Sequence, residues 1–272
     1  MPKRLTVGER HRFYRPPELP GWEIRCGSGG GIAYGLHTHA TWSLGLVLHG
    51  RTVYRCGRHH YAARTGSVML MPPDTPHACN PYGGQPWHYM MCYIPPEVFR
   101  QAVGSGVPAL ADGAPWRSRR LVAAMLALLR SVRQADGRAE VCWQALAAAL
   151  KREAAQAMPQ CAPWRGLIDI LEASNPAIQD ADAWAQAAGL SRRQLSRRLE
   201  ASGMSPHQWL LSRRIAQAQA AIARGAPLAQ AAQDFGFADQ AHFQRRFKRS
   251  LAVTPGRYSQ HQPDAQQQEH TQ

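Results

Sequence analysis

At 272 residues, 44% of them hydrophobic, the chain has room for two domains, each with its own core. Its formal net charge of +14 fits a nucleic-acid partner, and no apolar run reaches the ~18 residues that a membrane span needs. Six cysteines (Cys26, Cys56, Cys79, Cys92, Cys142 and Cys161) form no C-x-x-C pair and no secretory signal is evident, so a reduced, cytoplasmic setting is expected.

The first hundred residues read as β. Segments 43–50, 52–56 and 68–71 are short strands, punctuated by Gly50, Gly57, Gly66, Pro72, Pro73, Pro76, Pro81 and Gly83. Short strands with such turn residues argue a sandwich or small barrel. Trp87, Tyr89, Met91 and Tyr93 alternate with His88, Met90 and Cys92, the period of a strand with one face in and one face out. Together with Trp42, Tyr54, Met69 and Met71 they offer the aromatic and soft surface that small-molecule sites use. Arg25, Arg51, Arg55 and Arg64 would suit a carboxylate-bearing effector, although arginines in β regions are usually solvated.

Three histidines stand out in this half. His37 and His39 are two residues apart, so on a strand they point the same way. The segment Gly66-x5-Pro72-x-Asp74-x-x-His77 then returns a third. The expected effector pocket is lined by His37, His39, Trp42, His77, Trp87 and Tyr89. Three neutral imidazoles could also hold Zn²⁺ or another divalent ion, with Cys79 a possible fourth ligand. Polar pocket lining or hydrogen-bonded structure is the preferred reading of the histidines, and a small buried thiol that of Cys79.

After Pro95-Pro96 the composition shifts. Segments 119–132 and 139–157 are Ala/Leu-rich and helical in period, with Gly137 between them. They suit a dimer or interdomain surface, and plain domain core equally. Residues 159–163 read as a linker.

Two segments with one grammar follow. The first places Gly189 and Ser191 before Arg192, Arg193, Gln194, Leu195, Ser196, Arg197, Arg198 and Leu199; the second places Gly236 and Asp239 before Gln240, Ala241, His242, Phe243, Gln244, Arg245, Arg246, Phe247 and Lys248. Each reads as a helix, a glycine turn and a second helix, the pattern of a helix-turn-helix. A left-handed backbone at the turn is cheap only without a Cβ, and Ser191 and Asp239 suit the next helix start as N-caps. Trp184, Ala188, Leu190, Leu195 and Leu199 form one apolar face; Leu228, Ala231, Ala232, Phe235, Phe237, Phe243 and Phe247 form the other. Between the copies, 206–224 reads as one helix capped by Ser205, with Trp209, Leu210, Ile215, Ala218 and Ile222 as its stripe. It would hold the two readers at a spacing suited to successive major grooves, near 34 Å apart. The total charge does not locate the site, because residues 1–163 carry 19 basic and 9 acidic side chains against 13 and 7 in 164–258. The arginines after the two glycines carry the argument instead.

From Trp164 to Tyr258 the chain resembles the AraC/XylS family of bacterial transcription regulators. The resemblance is sharpest in the run from Asp234 to Lys248, with its Gly-Phe turn, His242-Phe243 pair and Arg-x-Phe-Lys helix, and in Thr254-Pro255-Gly256-Arg257-Tyr258. Gly203-Met204-Ser205-Pro206 matches the loop before the family's connecting helix. The resemblance implies seven helices around two readers. It implies base contacts by Arg193, Ser196 and Arg197 in one groove and by Gln240, Ala241, Gln244 and Arg245 in the next, with Arg192, Gln194 and Lys248 also at the DNA. Leu251-Ala252 departs from the more usual Phe/Tyr-Gly pair, which weakens a turn. The histidine segments resemble the two cupin motifs of the jelly-roll domain that such regulators often carry; in metal-binding cupins the matching histidines are ligands with a Glu, and here Ser43 takes that place.

The expectation is an α+β chain of two domains: a cupin-like jelly-roll effector and dimerisation domain over 1–100, a helical linker over 101–163, a DNA-binding domain with two helix-turn-helix motifs over 164–260 and a disordered tail over 261–272. The expected function is a sequence-specific, effector-responsive transcription regulator, in the direction of activation. Its expected partners are double-stranded DNA, RNA polymerase, a small-molecule effector and a second copy of the chain, with no membrane. No catalytic residue is assigned. The alternatives are a metal-dependent cupin enzyme fused to a DNA-binding module, against which the missing Glu counts, and a constitutive DNA-binding protein whose barrel only dimerises.

Overall fold

The computed structural model describes residues 11–28, 34–57, 59–104, 113–156, 180–200 and 203–260. The first half is a two-sheet β structure. Its strands are β1 (His11–Tyr14), β2 (Glu23–Ser28), β3 (Trp42–His49), β4 (Arg51–Cys56), β5 (His59–Arg64), β6 (Val68–Met71), β7 (His77–Pro81) and β8 (His88–Ile94). One antiparallel sheet has the order β1-β2-β8-β3-β6 and the other β5-β4-β7. The four strands read from the sequence, β3, β4, β6 and β8, are present, with β1, β2, β5 and β7 added to them.

The five-stranded sheet is covered on both faces, which corrects the expectation of a one-sided strand at 87–93. Met90, Cys92 and Ile94 of β8 join Trp42, Leu44 and Leu46 of β3 and Val68 and Leu70 of β6 on one face. That face packs on the helices α1 (Pro96–Val103), α2 (Arg119–Gln134) and α3 (Ala139–Gln156), through Phe99, Leu121, Met125, Leu128, Trp143, Leu146 and Leu150. The alternate residues, Tyr89, Met91 and Tyr93 with Val47, Met69 and Met71, face the interior between the sheets, where they meet Tyr54 and Cys56 of β4. At Gly45 a Cβ would lie 2.9 Å from the Met91 methyl and 3.1 Å from that of Met69, so the ends of these two flexible side chains would have to shift to admit one. The two Ala/Leu-rich helices are therefore domain core on their inner faces.

The second half is helical: α4 (Ala181–Ala187), α5 (Arg192–Glu200), α6 (Pro206–Ala223), α7 (Leu228–Asp234), α8 (Gln240–Leu251) and α9 (Pro255–Ser259). These are six of the seven helices expected; residues 164–179, the 159–163 linker and the 261–272 tail lie outside the described residues. Helix α6 is capped by Ser205 and has Pro206 in its first turn, as expected, and Gln208 completes a capping box with Ser205. Its Trp209 and Leu210 pack with Trp184, Leu195 and Leu199 of α4 and α5. One turn further, Ile215, Ala218 and Ile222 pack with Phe237, Phe243 and Phe247 of the second reader. An 18-residue helix is about 27 Å long, so a single rigid rod organises both cores. None of the described helices is long and apolar enough to cross a membrane.

The halves are packed on each other. Phe13 of β1 is buried in the core of the second reader, edge-on to Tyr258 at 5.0 Å. Arg25 of β2 is buried and donates to the carbonyl of Leu251, the last residue of α8, at 2.5 Å. Its guanidinium also bonds the Tyr34 hydroxyl at 3.0 Å and lies over the rings of Phe13, Tyr34 and Tyr89. Arg25 is thus not one of the solvated arginines expected of a β region, while Arg51 and Arg64 are. Beside it, the Glu23 carboxylate accepts from Arg15 at 2.6 Å, from the Tyr258 hydroxyl at 2.5 Å and from the Gln219 amide at 3.0 Å.

Candidate nucleic-acid interface and effector site

The two readers repeat each other bond for bond. In the first, Gly189 N–H donates to the Gln186 carbonyl at 3.0 Å and Leu190 N–H to Ala185 at 2.9 Å. In the second, Gly236 N–H donates to Gln233 at 3.1 Å and Phe237 N–H to Ala232 at 3.0 Å. Both glycines are left-handed, with φ of +64° and +71°. The turns reverse the chain through the same pair of bonds, with the apolar residue after each glycine folded back onto the preceding helix. Asp239 then caps α8 through His242 N–H at 2.6 Å, and Ser191 caps α5 through Gln194 N–H at 3.3 Å.

Capping and burial sort the expected DNA contacts. On α5, Leu195 and Leu199 are buried, Arg193 and Arg197 are exposed, and Ser196 is half-buried. On α8, Phe243, Phe247 and Leu251 are buried, whereas Gln240, Ala241, Gln244, Arg245 and Lys248 are exposed. Two residues have other work. The Gln194 side-chain oxygen accepts from the Ser191 N–H at 2.8 Å and hydroxyl at 2.9 Å, completing a capping box. Arg192 pairs with Asp182 of α4 and ties the helices of the first reader together. Ala252, where the sequence departs from the family's pattern, adopts φ +58° as the C-cap of α8, a conformation that favours glycine.

In the β domain, the histidines come together as the i, i+2 spacing indicates. His37 and His77 form an antiparallel bridge, exchanging backbone hydrogen bonds of 3.0 and 2.9 Å. Directly opposed residues send their side chains to one side, and His39 follows from two residues on. The ring centroids lie 4.6 to 5.0 Å apart, and one ring nitrogen from each of the three lies within 4.8 Å of the others. Burial pulls His37 down to about 3 and His77 to about 4, with the neighbouring His77 adding to the effect on His37; His39 is likewise well below its ordinary value, so all three are neutral at physiological pH.

The remaining pocket residues divide. Trp87 and Tyr89 stack at 4.6 Å inside the domain. Trp42 does not line the interior; it stacks on Phe99 at 4.3 Å beneath the helices, because it shares strand parity with Leu44 and Leu46, opposite to Ser43. Cys79 is a buried thiol in the interior cluster, pushed up to about 12 by burial, and stands outside the group of candidate metal ligands. A cleft of about 580 Å³ lies on the seam between the halves. It is bounded by Arg15, Leu19 and Trp22 on one side and by Ala216 and Ala220 of α6 and its C-cap residue Arg224 on the other, and His39 and Tyr93 open onto it. The sequence held no signal for this cleft, since its walls come from segments about 200 positions apart.

A family model described as AraC-like ligand binding domain matches residues 21–149, and one described as helix-turn-helix domain matches residues 184–261. The structure is similar to that of ToxT from Vibrio cholerae O395, at 15% identity over 89% of this chain and 98% of that one, with a TM-score of 0.60. It is also similar to ToxT from Vibrio cholerae strain SCE256 with an unsaturated fatty acid bound, at 14% identity over 88% and 94% of the two chains, with a TM-score of 0.61. No curated protein matches the sequence.

Proposed function

The chain belongs to the AraC family of two-domain transcription regulators, with a ligand-binding domain and a helix-turn-helix DNA-binding domain, and we propose that it reads two successive major grooves and responds to a small molecule held at its domain seam. The duplicated, hydrogen-bonded glycine turn carries the reading: it presents α5 and α8 as two equivalent recognition helices on one rigid rod. In this reading Arg193, Ser196 and Arg197 meet bases in one groove, and Gln240, Ala241, Gln244 and Arg245 in the next, with Lys248 on phosphate. Arg forks onto guanine, Gln onto adenine, and the Ala methyl meets a thymine methyl. Gln194 and Arg192 position α5 rather than read bases.

The effector we assign to the cleft is an amphiphile with an anionic head. Leu19, Trp22, Ala216 and Ala220 supply the apolar wall, and Arg224 is an exposed cation at its rim. The fatty acid bound by structurally similar ToxT is of this chemistry. An occupant touching both Trp22 and Ala220 would bind docked and undocked arrangements of the halves with different affinity, which any such switch requires. Leu126 and Val141, exposed on α2 and α3, support a homodimer through the outer face of those helices. A cytoplasmic activator that contacts RNA polymerase completes the proposal, the barrel serving as sensor rather than catalyst.

The test is binding to promoter fragments at fixed salt. Arg197→Ala and Arg245→Ala should each weaken binding by about 1–3 kcal/mol and relax preference at one base position. Wild-type affinity in both would sink the assignment of the readers. Ala220→Trp, which fills the cleft from an exposed position, should abolish thermal stabilisation by medium- and long-chain carboxylates. Undiminished stabilisation in that variant would sink the assignment of the cleft.

A further inference from the structure

The outer face of the small sheet carries a charge pattern that neither the readers nor the cleft uses. Between Glu23 and Glu97 the only acidic residue is Asp74, while four arginines fall within residues 51–64. The β4–β5 ladder places three of them on one face. Thr52, Tyr54 and Cys56 of β4 point inward and are buried, so Arg51, Val53 and Arg55 point outward, and their partners across the ladder are Arg64, Ala62 and His60. Arg51 and Arg64 are both exposed and stand directly opposite each other, a relation in which like charges are destabilising. Among the described residues neither has a carboxylate partner, and β4, β5 and β7 contain no acidic residue. Val53 and Ala62, exposed beside them, are short, so the guanidinium groups stand above a flat ribbon. A second observation joins this ribbon to the readers. Arg55 Nε donates to the Gly57 carbonyl at 2.6 Å, and its guanidinium donates to the carbonyl of Gly203 at 3.4 Å. Gly203 lies in the turn between α5 and α6, and a Cβ there would collide with the Arg55 guanidinium. The ribbon therefore abuts the turn that follows the first recognition helix.

We propose, resting on the assignment of α5 and α8 as readers, that the outer face of the β4–β5 ribbon is a further contact for double-stranded DNA, one that binds phosphates flanking the first reader's groove and reads no sequence. The first turns of α6, through Trp209 and Leu210, hold the first reader, and its later turns hold the second. A duplex lying along both readers therefore leaves the protein at the N-terminal end of α6, where Gly203 and the ribbon meet. Arg51 lies about 13 Å along the strand from Arg55, close to the axial rise of four base pairs. A guanidinium pairs with a phosphate bidentately, and each phosphate so neutralised releases condensed counterions. A phosphate between Arg51 and Arg64 also offsets the repulsion that the ladder builds between them. The basic surplus of the first half thus has a use that the readers do not supply. A shift in the docking of the two halves moves the ribbon relative to the duplex, which gives the effector domain a grip on DNA of its own.

The experiment uses the full chain and duplexes carrying a site that the chain itself selects from a random-sequence pool. Arg197→Ala marks the half-site read by α5, because preference relaxes there. One duplex ends at the site, and two others extend it by about ten base pairs, one helical turn, on the α5 side or on the α8 side. The α5-side extension should tighten binding and steepen the fall of log affinity with log salt by about 1.8, the value for two phosphate contacts. The α8-side extension should steepen it less. Arg51→Gln/Arg64→Gln should abolish the α5-side steepening, leave affinity for the short duplex at the wild-type value and keep or raise the melting temperature, since two opposed like charges are gone. Equal slopes on the short and α5-extended duplexes, or full steepening in the double variant, would overturn the proposal. So would an equal loss on all three duplexes, the mark of a general charge effect. The short duplex and Arg197→Ala report on the readers alone, so failure of the reader assignment and failure of the ribbon contact are told apart.

Discussion

Glu23 is the most consequential single position at the seam, and Glu23→Ala should loosen the two halves from each other. The carboxylate holds three donors at once: Arg15 from its own domain, and Tyr258 and Gln219 from the DNA-binding domain. The Arg15 and Glu23 side chains are 14% and 10% exposed, so the pair is largely desolvated. Burial works against the Arg15 cation, and Glu23, with Tyr258, more than offsets it, so the arginine is held above its ordinary value. Removing one partner of such a buried pair costs about 3–5 kcal/mol, chiefly by stranding the other charge, and the Tyr258 hydroxyl and Gln219 amide lose their acceptor as well. If most of that falls on docking, the docked-to-undocked ratio drops about 10²–10⁴-fold. The assay is hydrogen exchange with thermal unfolding. Amides of α6 and α9 should exchange faster, and the melting transition should broaden or split into two. A Glu23→Ala protein with a single unshifted transition and wild-type exchange in α6 and α9 would refute the reasoning that this carboxylate clasps the domains.

Three further outcomes follow from local geometry. Ala252→Gly relieves a left-handed backbone worth about 1–2 kcal/mol and gives up a buried methyl worth about 0.8 kcal/mol, so the melting temperature should rise by a few degrees; a fall would show that the methyl contact dominates. Asp74 is pushed up to about 6 by burial, with Arg213 of α6 pulling the other way. A carboxyl raised in the folded state stabilises most below pH 4 and loses that contribution as pH rises through about 6. Asp74→Asn, which also tolerates the φ of +58° there, should gain about 1–2 kcal/mol at pH 7.5 and little at pH 4 in urea titrations; equal effects at both would assign the residue another role. Gln194→Ala should cost about 0.5–1 kcal/mol of stability and leave base preference intact, whereas loss of preference at a single base without loss of stability would return Gln194 to the DNA contacts.

Legibility followed the range of the interactions. Each reader was legible because its signals lie within some twenty residues: a left-handed glycine, an N-cap two or three positions on, and a helical stripe ending in phenylalanine or leucine. The histidine triad was legible for a related reason. The pleat guarantees that His37 and His39 share a side, although nothing in the chain stated that His77 would be bridged to His37. Strand parity was misread at Trp42 because the chain does not say which side of β3 receives helices. The alternation at 87–93 looked amphipathic by residue type, but both faces are covered, and methionine and tyrosine serve equally well in two different cores.

Local patterning by itself determined the two-domain division, the tandem turns, the connecting helix and the identity of the exposed reader residues, since these depend on backbone geometry and on periods of 2 and 3.6. Only the tertiary structure decided the seam. Phe13, Glu23 and Arg25 form no periodic motif, and their partners Tyr258, Gln219 and Leu251 lie about 200 or more positions away. Contacts of that range are chosen by shape and by the need to satisfy buried charge once both domains have formed, so they leave no local mark in the chain.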